Sequence, residues 1–126
     1  VTADAAAGDP TWRKAYFTMA ALVFAVAAAA HLYWLVTTAD ARWFHALFVG
    51  LDAILAALMI RRPFWLAYLF PLFAAEQLYA HGGLLAQSVK TGRFDTVSCF
   101  IVIFMPLTAV LLFVARGRQS GVRSGA

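Results

Sequence analysis

The stretch AYFTMAALVFAVAAAAHLYWLV, residues 15–36, contains no Asp, Glu, Lys or Arg and decides the class of fold. Wound as an α-helix at ~1.5 Å per residue it is roughly 33 Å long, matching the ~30 Å hydrocarbon core of a bilayer. Three further stretches read the same way: Trp43 to Ile60, Pro63 to Gly83 and Thr96 to Ala115. Backbone amides in lipid find no water, so each span must satisfy its own hydrogen bonds, and none shows the alternation of a barrel strand. Arg13 and Lys14 before the first span, with Ala27 to Ala30 inside it, resemble a cleaved leader, but the apolar run continues to Val36 and is long enough to cross.

Composition agrees. The 126 residues are 63% hydrophobic and 13% charged, where a soluble domain carries about a quarter charged residues, so a water-facing surface would be left uncovered. The fold expected is all-α: one integral membrane domain over residues 1–126, a four-helix up-down-up-down bundle whose short connections make neighbours antiparallel. The Gly-, Ser- and Arg-rich residues 117–126 read as a flexible tail. Ala27 to Ala30, with Gly50, Ala53, Ala56 and Ala57, are the small residues expected to let helices approach. Pro71 and Pro106 lie inside the third and fourth spans and are expected to kink them.

The net charge of +4 forms no basic face or recognition motif, which argues against nucleic acid. It orients the chain instead. Arg13, Lys14, Arg61, Arg62, Arg116, Arg118 and Arg123 collect on the side of the termini, against Arg42, Lys90 and Arg93 on the other, so both termini are expected to be cytoplasmic. Trp12, Tyr16 and Trp65 fall at the inner interface and Tyr33, Trp34 and Trp43 at the outer one, as aromatic belts do. The expected location is a membrane, as a multi-pass protein of a bacterial inner membrane.

Cys99 is the single cysteine, which excludes an intramolecular disulfide and a thiolate-rich metal site. No phosphate loop, glycine-rich nucleotide motif or hydrolase signature is present, so the chain leans away from an enzyme. Beyond His81, Gly82 and Gly83 are expected to fray the third helix, leaving Leu84 to Lys90 as a short surface helix that ends at Gly92, and Asp95 with Thr96 to cap the fourth.

Polar residues within the spans stand out, because an ionised side chain there costs at least ~3 kcal/mol. Asp52 lies mid-span in the second helix; Glu76 and Gln77 lie in the outer half of the third; His31, His45 and His81 lie near the outer ends of three helices. Counting back from the outer boundary, His45 and His81 sit roughly 3 Å deep, His31 roughly 7 Å, Glu76 roughly 10 Å and Asp52 roughly 13 Å. These depths overlap. His45 and Asp52 share a helix face, as do Gln77 and His81, while Glu76 points about 100° from Gln77.

Three readings of this layer stand open. The polar groups can pair across helices to fix register in a structural or accessory subunit of a membrane complex, or in a homo-oligomer. They can line an outer-facing cavity for a small amphipathic molecule such as a quinone, lipid or sterol-like compound, with Tyr33, Trp34, Phe73 and Tyr79 as aromatic walls and the carboxylates exchanging protons. Or the three histidines can meet as a haem or metal site, against which stands the absence of any two-histidine ligand spacing on one helix, so no metal is assigned and the cofactor is unknown.

Four spans in a chain of this length resemble the small multidrug resistance transporters, which implies a dimeric proton-coupled exporter. In that family the essential glutamate lies in the first helix, where this chain has no acidic residue within the span. The layout also resembles the DoxX-like and EXPERA-type four-helix proteins, the latter holding paired carboxylates in a sterol-sized cavity. The residues singled out remain Asp52, Glu76 and His81 first, with His31, His45 and Gln77 beside them.

Overall fold

A computed structural model describes residues 10–123, with side chains through Arg116. Among these residues every regular element is helical: α1 Thr11–Thr37, α2 Arg42–Arg61, α3 Leu66–Lys90 and α4 Thr96–Arg123. α1, α2 and α4 run further than the spans read from sequence, α3 begins at Leu66 where Pro63 was expected and ends beyond Gly83 at Lys90, and α3 and α4 continue through Pro71 and Pro106. Residues 117–123, expected as a loose tail, belong to α4; residues 124–126 lie outside the described residues.

Three helices are long and apolar enough to cross a membrane: α1, α2 and the Thr96–Arg116 part of α4. α3 matches them in length, at 25 residues, but Glu76, Gln77, His81, Gly82 and Gly83 lower its mean hydropathy. The chain divides into two compact units, one ending at Arg62 and the next beginning at Pro63. Each is a helical hairpin, α1 packed on α2 and α3 packed on α4.

In the first hairpin the buried positions of α1 are Arg13, Phe17, Ala20, Ala21 and Phe24, and those of α2 are Asp52, Leu55 and Met59. Spacings of three and four put each set on one helix face. Ala20 and Ala21 are the small residues at this seam. Of the small residues expected to let helices approach, Ala27, Ala28, Ala30 and Ala56 are half-buried, while Gly50, Ala53 and Ala57 are exposed and a Cβ on Gly50 would meet nothing within 4 Å. Position on the face outweighs size, since those three lie off the Asp52–Leu55–Met59 stripe.

The outward faces are apolar. Val26, Val36, Leu72, Val97 and Ile103 are each more than 60% exposed, the reverse of a soluble bundle and the pattern a lipid solvent requires.

Side-chain hydroxyls close α1. Thr37 Oγ1 donates to the Tyr33 carbonyl at 2.8 Å and Thr38 Oγ1 to the Trp34 carbonyl at 2.6 Å, which also accepts the Thr38 N–H at 2.9 Å. Ala41 then takes a left-handed conformation (φ 55°) to start α2, and Arg62 (φ 47°) ends it, its N–H bonded to Leu58 O.

In the second hairpin, Leu66, Ala67, Phe70, Ala74 and Gln77 of α3 are buried, as are Ser98, Phe104, Met105, Thr108 and Leu112 of α4. The expected break at Gly82 and Gly83 does not occur. Each glycine costs a helix about 1 kcal/mol, and the run Leu84-Leu85-Ala86 beyond them restores propensity, so α3 continues to Lys90. It ends instead at Gly92 (φ 68°): Gly92 N–H bonds to Val89 O and Arg93 N–H to Ser88 O, the paired bonds of a Schellman motif. Asp95 caps α4 as expected, its Oδ1 accepting from Ser98 N–H at 3.0 Å.

Candidate functional site

The polar residues fall into sets, each within one hairpin. In the first, α1 presents His31 and α2 presents His45 and Asp52, two turns apart on one face. His31 Nδ1 and His45 Nδ1 lie 3.1 Å apart, and His31 Nε2 lies 3.8 Å from Asp52 Oδ2. The order along this chain is His45, His31, Asp52. It leads from the fourth residue of α2 to its midpoint, a depth change of about 10 Å.

A contact between two Nδ1 atoms needs one of them protonated and the other bare. If His31 carries its proton on Nε2, toward the carboxylate, its Nδ1 accepts and His45 Nδ1–H donates. This tautomer, assigned from the network, satisfies every contact at once. The His31–Asp52 separation is an ion-pair distance, too long for a hydrogen bond. Asp52 is 4% exposed, and its Oδ2 accepts no hydrogen bond among the described residues. A buried carboxylate oxygen without a donor is costly, and inside a membrane it is the usual mark of a site that handles protons or polar ligands.

Aromatic rings enclose the imidazoles. Trp34 stands edge-on to His31 at 5.5 Å between centroids and tilted over His45 at 5.7 Å, while Phe48 lies 5.1 Å from His31 and Phe44 5.8 Å from His45. Trp34 was expected as a wall; Phe44 and Phe48 were not. Both lie on α2 beside His45, one residue before it and three after it, so the spacing was visible but the side of the helix was not. Tyr33 is exposed, and Tyr79, on α3, is 88% exposed. Phe73 meets Phe70 edge-on at 6.1 Å.

The second hairpin holds the other expected residues. Gln77 is buried and Glu76 exposed, as the 100° between neighbours requires, and the Gln77 amide reaches round to donate to Glu76 Oε2 at 2.6 Å. His81 Nδ1 lies 3.0 Å from Ser98 Oγ, and Ser98 Oγ donates to Asp95 Oδ2 at 2.6 Å. A hydroxyl has one proton, so His81 must donate from Nδ1 and keep Nε2 as its acceptor.

Here serine stands between histidine and aspartate. In a hydrolase the imidazole stands between and takes the serine proton, so Ser98, 1% exposed, is a link and not a nucleophile. The hydrogen bonds from the Ser98 hydroxyl and amide hold the Asp95 carboxyl below its ordinary value. Sequence reading found the Asp95 cap and His81 separately but not Ser98, because which α3 residue meets α4 depends on hairpin register.

Among the described residues no three His, Cys, Asp or Glu side chains are grouped as ligands of one ion. Comparison with protein-family models, with curated proteins and with solved structures gives no match to this chain.

Proposed function

We propose that this is a four-span membrane protein with cytoplasmic termini whose His45–His31–Asp52 chain binds, through hydrogen bonds to its polar end, a small amphipathic molecule of the quinone class taken from the lipid phase. The observation that carries the reading is the 3.1 Å contact of His45 with His31 beside a buried carboxylate oxygen that has no hydrogen bond and lies 3.8 Å from His31 Nε2. Trp34, Phe44 and Phe48 supply flat apolar faces of the kind a ring ligand stacks on. The packing of α3, about 37 Å long, against α4 supports a fourth crossing despite its polar residues. The bacterial inner membrane suits the charge bias of the chain.

The test is titration of the detergent-solubilised chain with a short-tailed benzoquinone, read by thermal unfolding. A saturable rise in Tm is expected, lost in His31→Ala and Asp52→Asn and kept in Glu76→Gln. No saturable rise, or one that survives both substitutions, removes the reading.

One observation favours the second reading, a non-catalytic accessory subunit or homo-oligomer. Glu76 is exposed on α3 with the Gln77 amide as its hydrogen-bond donor, and a carboxylate facing lipid gains from a partner's donor. Co-purification of a larger complex that Glu76→Leu disrupts would support it.

A further inference from the structure

The first hairpin has a second feature, at the end opposite the histidines. Where α1 begins and α2 ends, Lys14, Phe17, Thr18, Met59, Ile60 and Arg62 line a cavity of about 200 Å³. Lys14 and Thr18 are one turn apart on α1. Arg62 reaches the cavity because α2 stops there in a left-handed residue, and its guanidinium lies over the Phe17 ring at 5.2 Å from the centroid. The floor is apolar: Phe17 and Met59 are almost fully buried. Two cations, one hydroxyl and an apolar floor therefore share one cavity at a helix terminus, the level at which a lipid places its headgroup. The first turn of α1 holds no acidic residue.

We propose that this cavity binds the phosphate of an anionic phospholipid, with Lys14 and Arg62 as the charge partners and the Thr18 hydroxyl as a donor. Lysine offers a point charge and arginine a planar fork, both suited to phosphate oxygens. At ~30 Å³ per water-sized group the cavity takes a phosphate with the neighbouring glycerol carbons, and Phe17, Met59 and Ile60 give those carbons an apolar seat that a free phosphate ion leaves unused. A basic pocket between membrane helices at this depth is a known physical solution for headgroup capture. The site is independent of the histidine chain, since it shares none of its residues.

The full chain in an uncharged detergent is mixed with a short-chain phosphatidylglycerol, with the matching phosphatidylcholine, or with inorganic phosphate, and unfolding and bound lipid are followed by thermal shift and native mass spectrometry. Phosphatidylglycerol is expected to raise Tm and stay bound, phosphatidylcholine to do neither. Lys14→Gln and Arg62→Gln should each weaken phosphatidylglycerol binding about fivefold, and Lys14→Arg should leave it intact. Thr18→Tyr, which keeps both charges but fills the cavity, should abolish it, so the proposal stays testable if the neutral variants fold poorly. Inorganic phosphate giving the whole shift assigns the anion site to the free ion and overturns the lipid source. Equal binding of the two lipids, or binding that survives Thr18→Tyr, overturns the site.

Discussion

His31 and Asp52 are unequal partners. Removing the imidazole leaves a buried carboxyl whose nearest polar neighbour is gone, while removing both leaves two apolar surfaces that pack. His31→Leu is therefore expected to destabilise the chain by about 3 kcal/mol, and His31→Leu with Asp52→Leu to recover most of that loss, as read from unfolding in detergent. Equal losses in the single and double variants would show that the two side chains do not act on each other. The sequence made Asp52, His31 and His45 conspicuous, because each is polar in an apolar run and the depth count brought them level. It left open which of them touch. That depends on the rotation of α1 against α2, fixed by Phe17, Ala20, Ala21 and Phe24 in a pattern that several apolar faces of so hydrophobic a helix could have supplied. Ser98 is the instructive omission: a serine in an apolar run draws little notice until Asp95 and His81 are found on either side of it.

The connections between helices carry opposite lessons about backbone conformation. Ala41 holds φ 55° with a β-carbon in the way, and Gly92 holds φ 68° without one. Ala41→Gly is expected to raise stability by about 1 kcal/mol and Gly92→Ala to lower it by about as much, both measurable as Tm shifts of opposite sign. The Asp95 cap adds a pH dependence. Its folded carboxyl titrates below the ordinary value of 3.8, so its contribution is complete above that value and is lost as pH falls further, through the depressed folded value. Asp95→Asn should flatten this acid limb in a thermal-melt series; an unchanged limb would assign it to other carboxylates. Gly92 and Asp95 were readable because capping chemistry is local. The continuity of α3 through Gly82 and Gly83 was not, because a pair of glycines argues for a break and only the neighbouring turns decide whether the helix absorbs it.

At the scale of the molecule, apolar length reports helices that can cross and the proposed orientation rests on charge bias, but α3 tests the limit of such counting. Its polar residues lower the hydropathy that marked the other three, so the proposed four-span topology rests on the packing of α3 against α4. The two possibilities differ in parity. Four crossings place both ends of the chain on one side, three place them on opposite sides, and reporter fusions at each end distinguish these directly; cytoplasmic signals from both ends are expected. The division at Arg62 and Pro63 also has a consequence in time. His31, His45 and Asp52 all precede it, so the ribosome has finished every member of the proposed site before the second hairpin is translated. Asp52, halfway down α2, is made after its counterpart on α1, and the hairpin that buries this carboxyl also carries the imidazole beside it.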